Sequence, residues 1–291
     1  MKTKRWVIAA PDEARVRALA AAGGYAPLTA AVLSARGIDT PDAAAAYLSC
    51  DTAGLHDPLL LAAMDNAVAV VEGALQRGER IVVYGDYDVD GVTATCTLVD
   101  YLRGRGAKCD YYIPNRLREG YGLSRAAMQE LYDKGARLLI TVDSGITADE
   151  EIATARALGM QVVITDHHEC HDTLPAADAV VDCKRPDCTY PFDSLAGVGV
   201  AFKLVCALEG DTQAMLDRYA DLVALGTVAD VMPITGENRI IVAAGVEKLA
   251  GAGNIGLGKV LREAGVEKPR PTPSPLRFLL APRTNAAWRL G

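Results

Sequence analysis

Asp86, Asp88 and Asp90 place three carboxylates on alternate residues, closed by Gly91 and preceded by the apolar run Ile81–Tyr84. Side chains two apart in an extended segment point the same way. Such a triplet aims hard oxygen donors at one point. Uncompensated, the three charges raise one another's pKa, and a divalent cation is the natural compensation. An acidic turn after a strand is the competing reading, and the triplet alone balances the two.

The elements around it tip that balance. Arg80–Tyr84, Lys108–Ile113, Arg137–Val142, Met160–Thr165 and Ala179–Val181 read as short apolar strands. Between them lie the helix candidates Val92–Arg103, Ser124–Lys134 and Ala148–Leu158, with Ser124 as N-cap and Thr147 with Glu150 at capping-box spacing. The alternation predicts an α/β fold, a mostly parallel sheet flanked by helices. Ligands of such sheets sit beyond the carboxyl ends of the strands. Asp143 and Asp166 each follow a strand, His167 and His168 follow Asp166, and Asp230 precedes Pro233 after a helix. Several strand ends thus converge on one edge rich in metal-ligand types, which favours a metal site.

Residues 1–79 read as an Ala-rich helical cap, with a helix from Pro27, another opened by Thr40-Pro41, and an amphipathic one over Asp65–Arg77. The α/β part that carries these acids is expected over 80–235. Helices follow over 236–291, interrupted by the proline-bearing stretch Lys268–Ser274. A net charge of −7 argues against nucleic-acid binding through bulk charge but leaves room for a local basic channel. Seven scattered cysteines without a CxxC predict free thiols and a reducing cytoplasm. The first ten residues are too weakly apolar for a signal peptide, and no run reaches the length of a membrane span.

Several motifs fail on their context. An EF-hand needs an acid at its twelfth position, where Thr97 stands, and a helix before it. Gly197-x-Gly199 lacks the third glycine of a dinucleotide loop, since Phe202 occupies that place. No Walker A sequence occurs. Cys170 and His171 read as a solvated loop, Cys183 and Cys188 as an ordinary loop pair, and His56 has no constellation around it. The carboxylate-rich donors favour Mn²⁺ or Mg²⁺ over zinc.

In order, Asp86-x-Asp88-x-Asp90-Gly91, Asp143, Asp166-His167-His168 and Asp230 resemble the four motifs of the DHH phosphoesterase superfamily. Further stretches are similar to its single-stranded-DNA-specific 5′→3′ exonucleases: Ile113–Leu123, Thr141–Gly145, Lys184–Asp187, Leu195–Lys203 and Ala281–Ala287. The resemblance implies a phosphodiester hydrolase acting in DNA repair and recombination with two divalent ions. Asp88 and Asp143, with Asp86, would hold one; Asp90, Asp143, His167 and Asp230 the other, Asp143 bridging. Asp166 would orient a histidine and His168 would face the scissile phosphate. Arg116, Gly197, Gly199 and Arg283 would meet substrate, Arg118 less clearly.

The resemblance also implies single-stranded DNA as substrate, no membrane, a monomer, and a single-strand-binding protein or helicase as candidate partner. The resemblance implies that such exonucleases continue into a connecting helix, a DHH-associated domain and an OB-fold, which it places beyond Gly291. Trp288 stands where a glycine is expected, and Tyr84 where many relatives carry a histidine. Two rivals stay open: a hydrolase of short oligonucleotides or cyclic dinucleotides, and a catalytically silent metal- or partner-binding module.

Overall fold

The computed structural model describes residues 12–116, 119–120, 122–251, 253–266 and 272–287. The chain divides into two compact units, Met1–Gly54 and Leu55–Gly291. In the first, α1 (Glu13–Gly23), α2 (Pro27–Ala35) and α3 (Pro41–Ser49) bury Leu19, Ala30, Leu33 and Ala44 together. Thr40 caps α3 by accepting from the Ala43 amide at 3.2 Å, with Pro41 in the first turn.

The second unit opens with α4 (Met64–Gln76), which the sequence groups with the N-terminal helices. Its Met64, Ala67, Val71 and Ala74 share a core with Ile81 and Val83. There follow β1 (Arg80–Tyr84), α5 (Val89–Gly104), β2 (Lys108–Tyr112) and α6 (Arg125–Asp133). Next come β3 (Ala136–Val142), α7 (Asp149–Ala157), β4 (Gln161–Asp166) and β5 (Ala179–Asp182). The strands lie within a residue of their predicted bounds. At α7 the expected capping box is absent: the N-cap is Ala148, which makes no side-chain cap bond, and Asp149, Glu150 and Glu151 fill the first turn instead.

All pairings are parallel, in the order β2-β1-β3-β4-β5. Alternate side chains supply two cores. Ile81, Val83, Leu138, Ile140 and Val142 pack on the side of α4 and α5, whereas Val82, Tyr84, Leu139 and Ile164 pack with α6 and α7. The chain leaves β1 for β2, then crosses back to β3. The strand order therefore reverses between β1 and β3, which opens a crevice beyond their carboxyl ends.

Four further helices complete the unit: α8 (Gly197–Glu209), α9 (Thr212–Ala229), α10 (Gly236–Ala250) and α11 (Ile255–Glu263). A π-helical segment, Leu276–Leu280, runs into α12 (Ala281–Ala287). Helix α9 packs against α5, α8 and α10. Among the described residues, no single helix is long and apolar enough to cross a membrane.

Candidate metal centre

The three acids after β1 do not lie in an extended segment. Helix α5 begins at Val89, so Asp86 sits in the turn, Asp88 is the N-cap and Asp90 lies in the first helical turn. Asp88 Oδ1 accepts from the Gly91 amide at 3.0 Å. The turn folds back so tightly that a Cβ on Gly91 would stand 2.6 Å from the backbone N and O of Asp86. Convergence of the acids therefore comes from a glycine-dependent turn, not from strand periodicity.

Asp143, directly after β3, adopts a left-handed φ of 56°, which Asp tolerates better than most residues. Its amide donates to the Thr165 carbonyl at 3.0 Å. The first residue of α8 presses against it: a Cβ on Gly197 would come within 2.4 Å of Asp143 Oδ1. Strand β4 delivers His167, and α9 ends on Asp230 as its C-cap. His167 Nε2 lies 3.1 Å from Asp143 Oδ1, 3.7 Å from Asp230 Oδ2 and 3.8 Å from Asp90 Oδ2. A second gathering joins Asp86, Asp88 and Asp143, with ligand atoms within 4.8 Å of one another. A third joins Asp143, His167 and His168, so Asp143 belongs to two of the three groups.

Burial raises the pKa of Asp90 to about 8, with Asp230 adding to the rise and the α8 amides opposing it. The Asp90 oxygens accept from Gly197 N at 2.7 Å and Val198 N at 2.9 Å, a carboxylate seated on a helix N-terminus. Burial also lifts Asp86 to about 6 and Asp230 to about 6, and Asp143 well above its ordinary value. Desolvation holds His167 down to about 4. Burial thus disfavours the charged form of His167, and its approaches to the three acids suit a shared cation.

Asp86 Oδ1 is buried without a hydrogen-bond partner. The donors are carboxylate oxygens with one imidazole, a set that fits Mn²⁺ or Mg²⁺.

Beside this cluster, Asp166 accepts from Ile146 N at 2.9 Å, His167 N at 2.8 Å and His168 N at 3.3 Å, and pairs with His168 Nδ1 at 2.7 Å. That bond raises the His168 pKa, against the opposing effect of burial. Partial exposure leaves the ring available to the cleft.

Other predicted residues divide. The Arg116 guanidinium lies 5.3 Å from the ring centre of Tyr87, the residue between Asp86 and Asp88, and its charge helps lower the Asp86 pKa. Gly199 faces Leu195, 3.3 Å from a built Cβ, so packing is what its small size serves. Arg283 is exposed and donates to the Leu279 carbonyl of the preceding turn at 3.0 Å. Arg118, Tyr121 and Trp288 lie outside the described residues. His171 is exposed at 3.7 Å from Asp149, away from the cluster.

The sequence reading passed over three residues. Asn285 Oδ1 accepts from Val89 N at 3.2 Å, tying α12 to the acid-bearing turn. A Cβ on Gly226 would stand 2.8 Å from Asp90 Oδ1. Asp182 is buried at the end of β5, pushed up to about 7 by burial, with an unpartnered Oδ2. Its place after an apolar strand was the available signal.

Asp86, Asp88, Asp90, Asp143, His167 and Asp230 thus meet at the carboxyl edge of a parallel sheet, the place of a candidate divalent-metal centre. The chain belongs to the DHH family, matching that family's N-terminal domain over residues 80–227. It is similar to the single-stranded-DNA-specific exonuclease RecJ of Bacillus subtilis (strain 168), 41% identical over 286 residues, 98% of this chain and 36% of that protein. Crystal structures of RecJ from Thermus thermophilus resemble it too. The complex with Mn²⁺ gives a TM-score of 0.81 at 34% identity, over 98% of this chain and 40% of that one. The complex with Mg²⁺ gives 0.69 at 30% identity, over 98% and 37%. This chain therefore spans well under half the length of these relatives.

Proposed function

We propose that this chain carries the catalytic centre of a 5′→3′ exonuclease that hydrolyses single-stranded DNA with two divalent ions, Mn²⁺ or Mg²⁺. The observation that carries the reading is the place of Asp143 between two groups: it gathers with Asp86 and Asp88, and its Oδ1 lies 3.1 Å from the His167 Nε2 that Asp90 and Asp230 also approach. Asp86, Asp88 and Asp143 would hold one ion; Asp90, Asp143, His167 and Asp230 the other. Bound ions supply Lewis-acid activation of water and neutralise the phosphodiester's charge.

The side chains do the rest. The Thr165 carbonyl holds the Asp143 backbone through its amide, and the carboxylate lies so close to Gly197 that no larger residue fits there. Asp90 is fixed by the α8 amides. Asp166 locks the His168 ring through Nδ1 and leaves its other nitrogen to contact the scissile phosphate. Arg116 adds a guanidinium suited to phosphate oxygens at the rim. Similarity to the RecJ exonuclease of B. subtilis supports the choice of single-stranded DNA.

The reading includes a catalytic part over 80–235, with an N-terminal segment before it and a C-terminal helical segment after it. It also includes a monomer in a reducing cytoplasm, with a single-strand-binding protein or helicase as partner; all seven cysteines are free.

The test is Mn²⁺-dependent degradation of a labelled single-stranded oligonucleotide, compared with a duplex and a dinucleotide. Wild-type chain should degrade the single strand from its 5′ end, and Asp143→Ala should not. Cleavage confined to the dinucleotide would transfer the assignment to the short-oligonucleotide hydrolases. Persistent metal-dependent cleavage by Asp143→Ala would remove the two-ion reading.

A further inference from the structure

Strands β1 and β2 end side by side on two tyrosines. Tyr84 and Tyr112 are register partners, and the Gly85 amide donates to the Tyr112 carbonyl at 3.0 Å. Their rings stack with centroids 5.0 Å apart and planes 26° apart. Tyr84 is buried, yet its hydroxyl takes no part in the acid cluster: it donates to the Gly122 carbonyl at 3.0 Å. Tyr112 donates to the Glu119 carboxylate. Both hydroxyls therefore hold the connection between β2 and α6, one at Glu119 and one at Gly122.

Glu119 closes that connection from within. Its Oε1 accepts from the Asn115 amide at 2.8 Å, and its own amide donates to the Asn115 carbonyl at 2.8 Å. Gly120 and Gly122 have φ of 86° and 81°, conformations that suit glycine and turn the chain sharply beside each anchor. Arg116 lies inside the Asn115–Glu119 turn, with its guanidinium over Tyr87 in the acid-bearing turn.

We propose that Tyr84 and Tyr112 are positioning residues for substrate: their two hydroxyls fix the Arg116 turn above the acids, where Arg116 meets the phosphate backbone of single-stranded DNA. The inference rests on the reading of the centre as a single-strand phosphodiesterase. Bonds that fix the chain at Glu119 and Gly122 before binding reduce the freedom that Arg116 would otherwise lose on each binding event. The anchoring bonds end on Gly122 and Glu119 and not on any acid of the centre. Their loss should therefore weaken substrate binding and spare the chemical step.

Kinetics on a short single-stranded oligonucleotide with Mn²⁺ test this. Tyr84→Phe keeps the ring stack and removes only the bond to Gly122. KM should rise about fivefold, the worth of one hydrogen bond, with kcat changed by less than about twofold. Tyr112→Phe should behave alike. Arg116→Ala should raise KM further, and adding Tyr84→Phe to it should cost nothing more, because the tyrosine acts through the arginine.

Additive losses in the double variant, or a kcat defect with unchanged KM, would overturn the proposal. So would Phe variants that lower only the melting temperature, since that is the signature of a hydroxyl that merely satisfies a buried carbonyl. A wild-type chain inactive on single-stranded DNA removes the underlying reading and this inference with it. An active wild type with unaltered KM in both Phe variants removes this inference alone.

Discussion

Two buried clusters of charge in the second unit behave in opposite ways. In one, Lys203 Nζ lies 2.5 Å from Glu237 Oε1 and both side chains are fully buried. Lys203 also donates to the His56 carbonyl at 2.9 Å, while Glu237 accepts from the His56 amide at 2.8 Å and from the Tyr190 hydroxyl at 2.6 Å. Opposite charges meet there, and the partners form a closed set. In the other, Asp86, Asp90, Asp143 and Asp230 crowd one end of the sheet around His167, with Asp86 Oδ1 unpartnered. The first cluster is complete within the protein and ties the segment before α4 to α8 and α10. The second is incomplete within the protein, and a cation of charge two completes it. Burial is common to both, so burial alone does not mark a site. The sign and sum of the charges do.

The sharpest way to break this contrast is Asp143→Ala, which removes the acid placed between the two groups. Metal-dependent cleavage should fall to background. Mn²⁺ should also lose its effect on the melting temperature, which for wild type at a hundredfold excess over Kd corresponds to about 2.7 kcal/mol. A variant that still gains this stabilisation would show that Asp143 is not central to ion binding.

Glu237→Leu, made in the closed cluster, should cost roughly 3–5 kcal/mol of unfolding free energy by leaving Lys203 buried and unpaired. That loss should be the same with and without Mn²⁺ in urea titrations. A cost that depended on metal would merge the two clusters into one system.

Gly197→Ala inserts a methyl 2.4 Å from Asp143 Oδ1 and should lower kcat about a hundredfold through misplacement of that carboxylate. Near-normal far-UV circular dichroism would accompany it. Wild-type kcat in this variant would refute the tight seating of Asp143.

The smallest effect is a pH slope. Burial raises the folded-state pKa of Asp90 to about 8 and of Asp86 and Asp230 to about 6. Between the unfolded carboxylate value near 4 and those values, the folded chain binds more protons than the unfolded one. Stability in EDTA should therefore be highest near pH 4 as far as these groups go. It should fall as pH rises toward 8, by about 1.4 kcal/mol per pH unit for each proton of difference. Saturating Mn²⁺ should flatten or reverse the slope, because ionised carboxylates bind the ion. Melting curves across pH in both buffers measure it. A metal-free chain that gains stability from pH 5 to 8 would contradict the repelling-acid picture.

Much of the acid cluster was legible before any coordinates. Short apolar runs ending in Asp86, Asp143 and Asp166 announce strands whose carboxyl ends carry donors, because strand periodicity and helix alternation are local properties of the chain. The local geometry of the triplet was misread for a related reason. Spacing two apart suggests an extended segment, but the helix starts at Val89 and the acids converge through the Gly91 turn. Likewise His56 has no motif around it, although its backbone closes the Lys203–Glu237 network.

The amino-acid sequence by itself determined the parallel sheet, the inventory of candidate ligands and their delivery to one edge. Each follows from patterns a few residues long. Only the tertiary structure decided which groups complete one another: Gly197 and Val198 on Asp90, Asn285 on Val89, and Tyr84 on Gly122. These partners are far apart in the chain, and what brings them together is the packing of α8 and α12 against α5 and the side-by-side pairing of β1 with β2. Residue spacing carries no record of that packing.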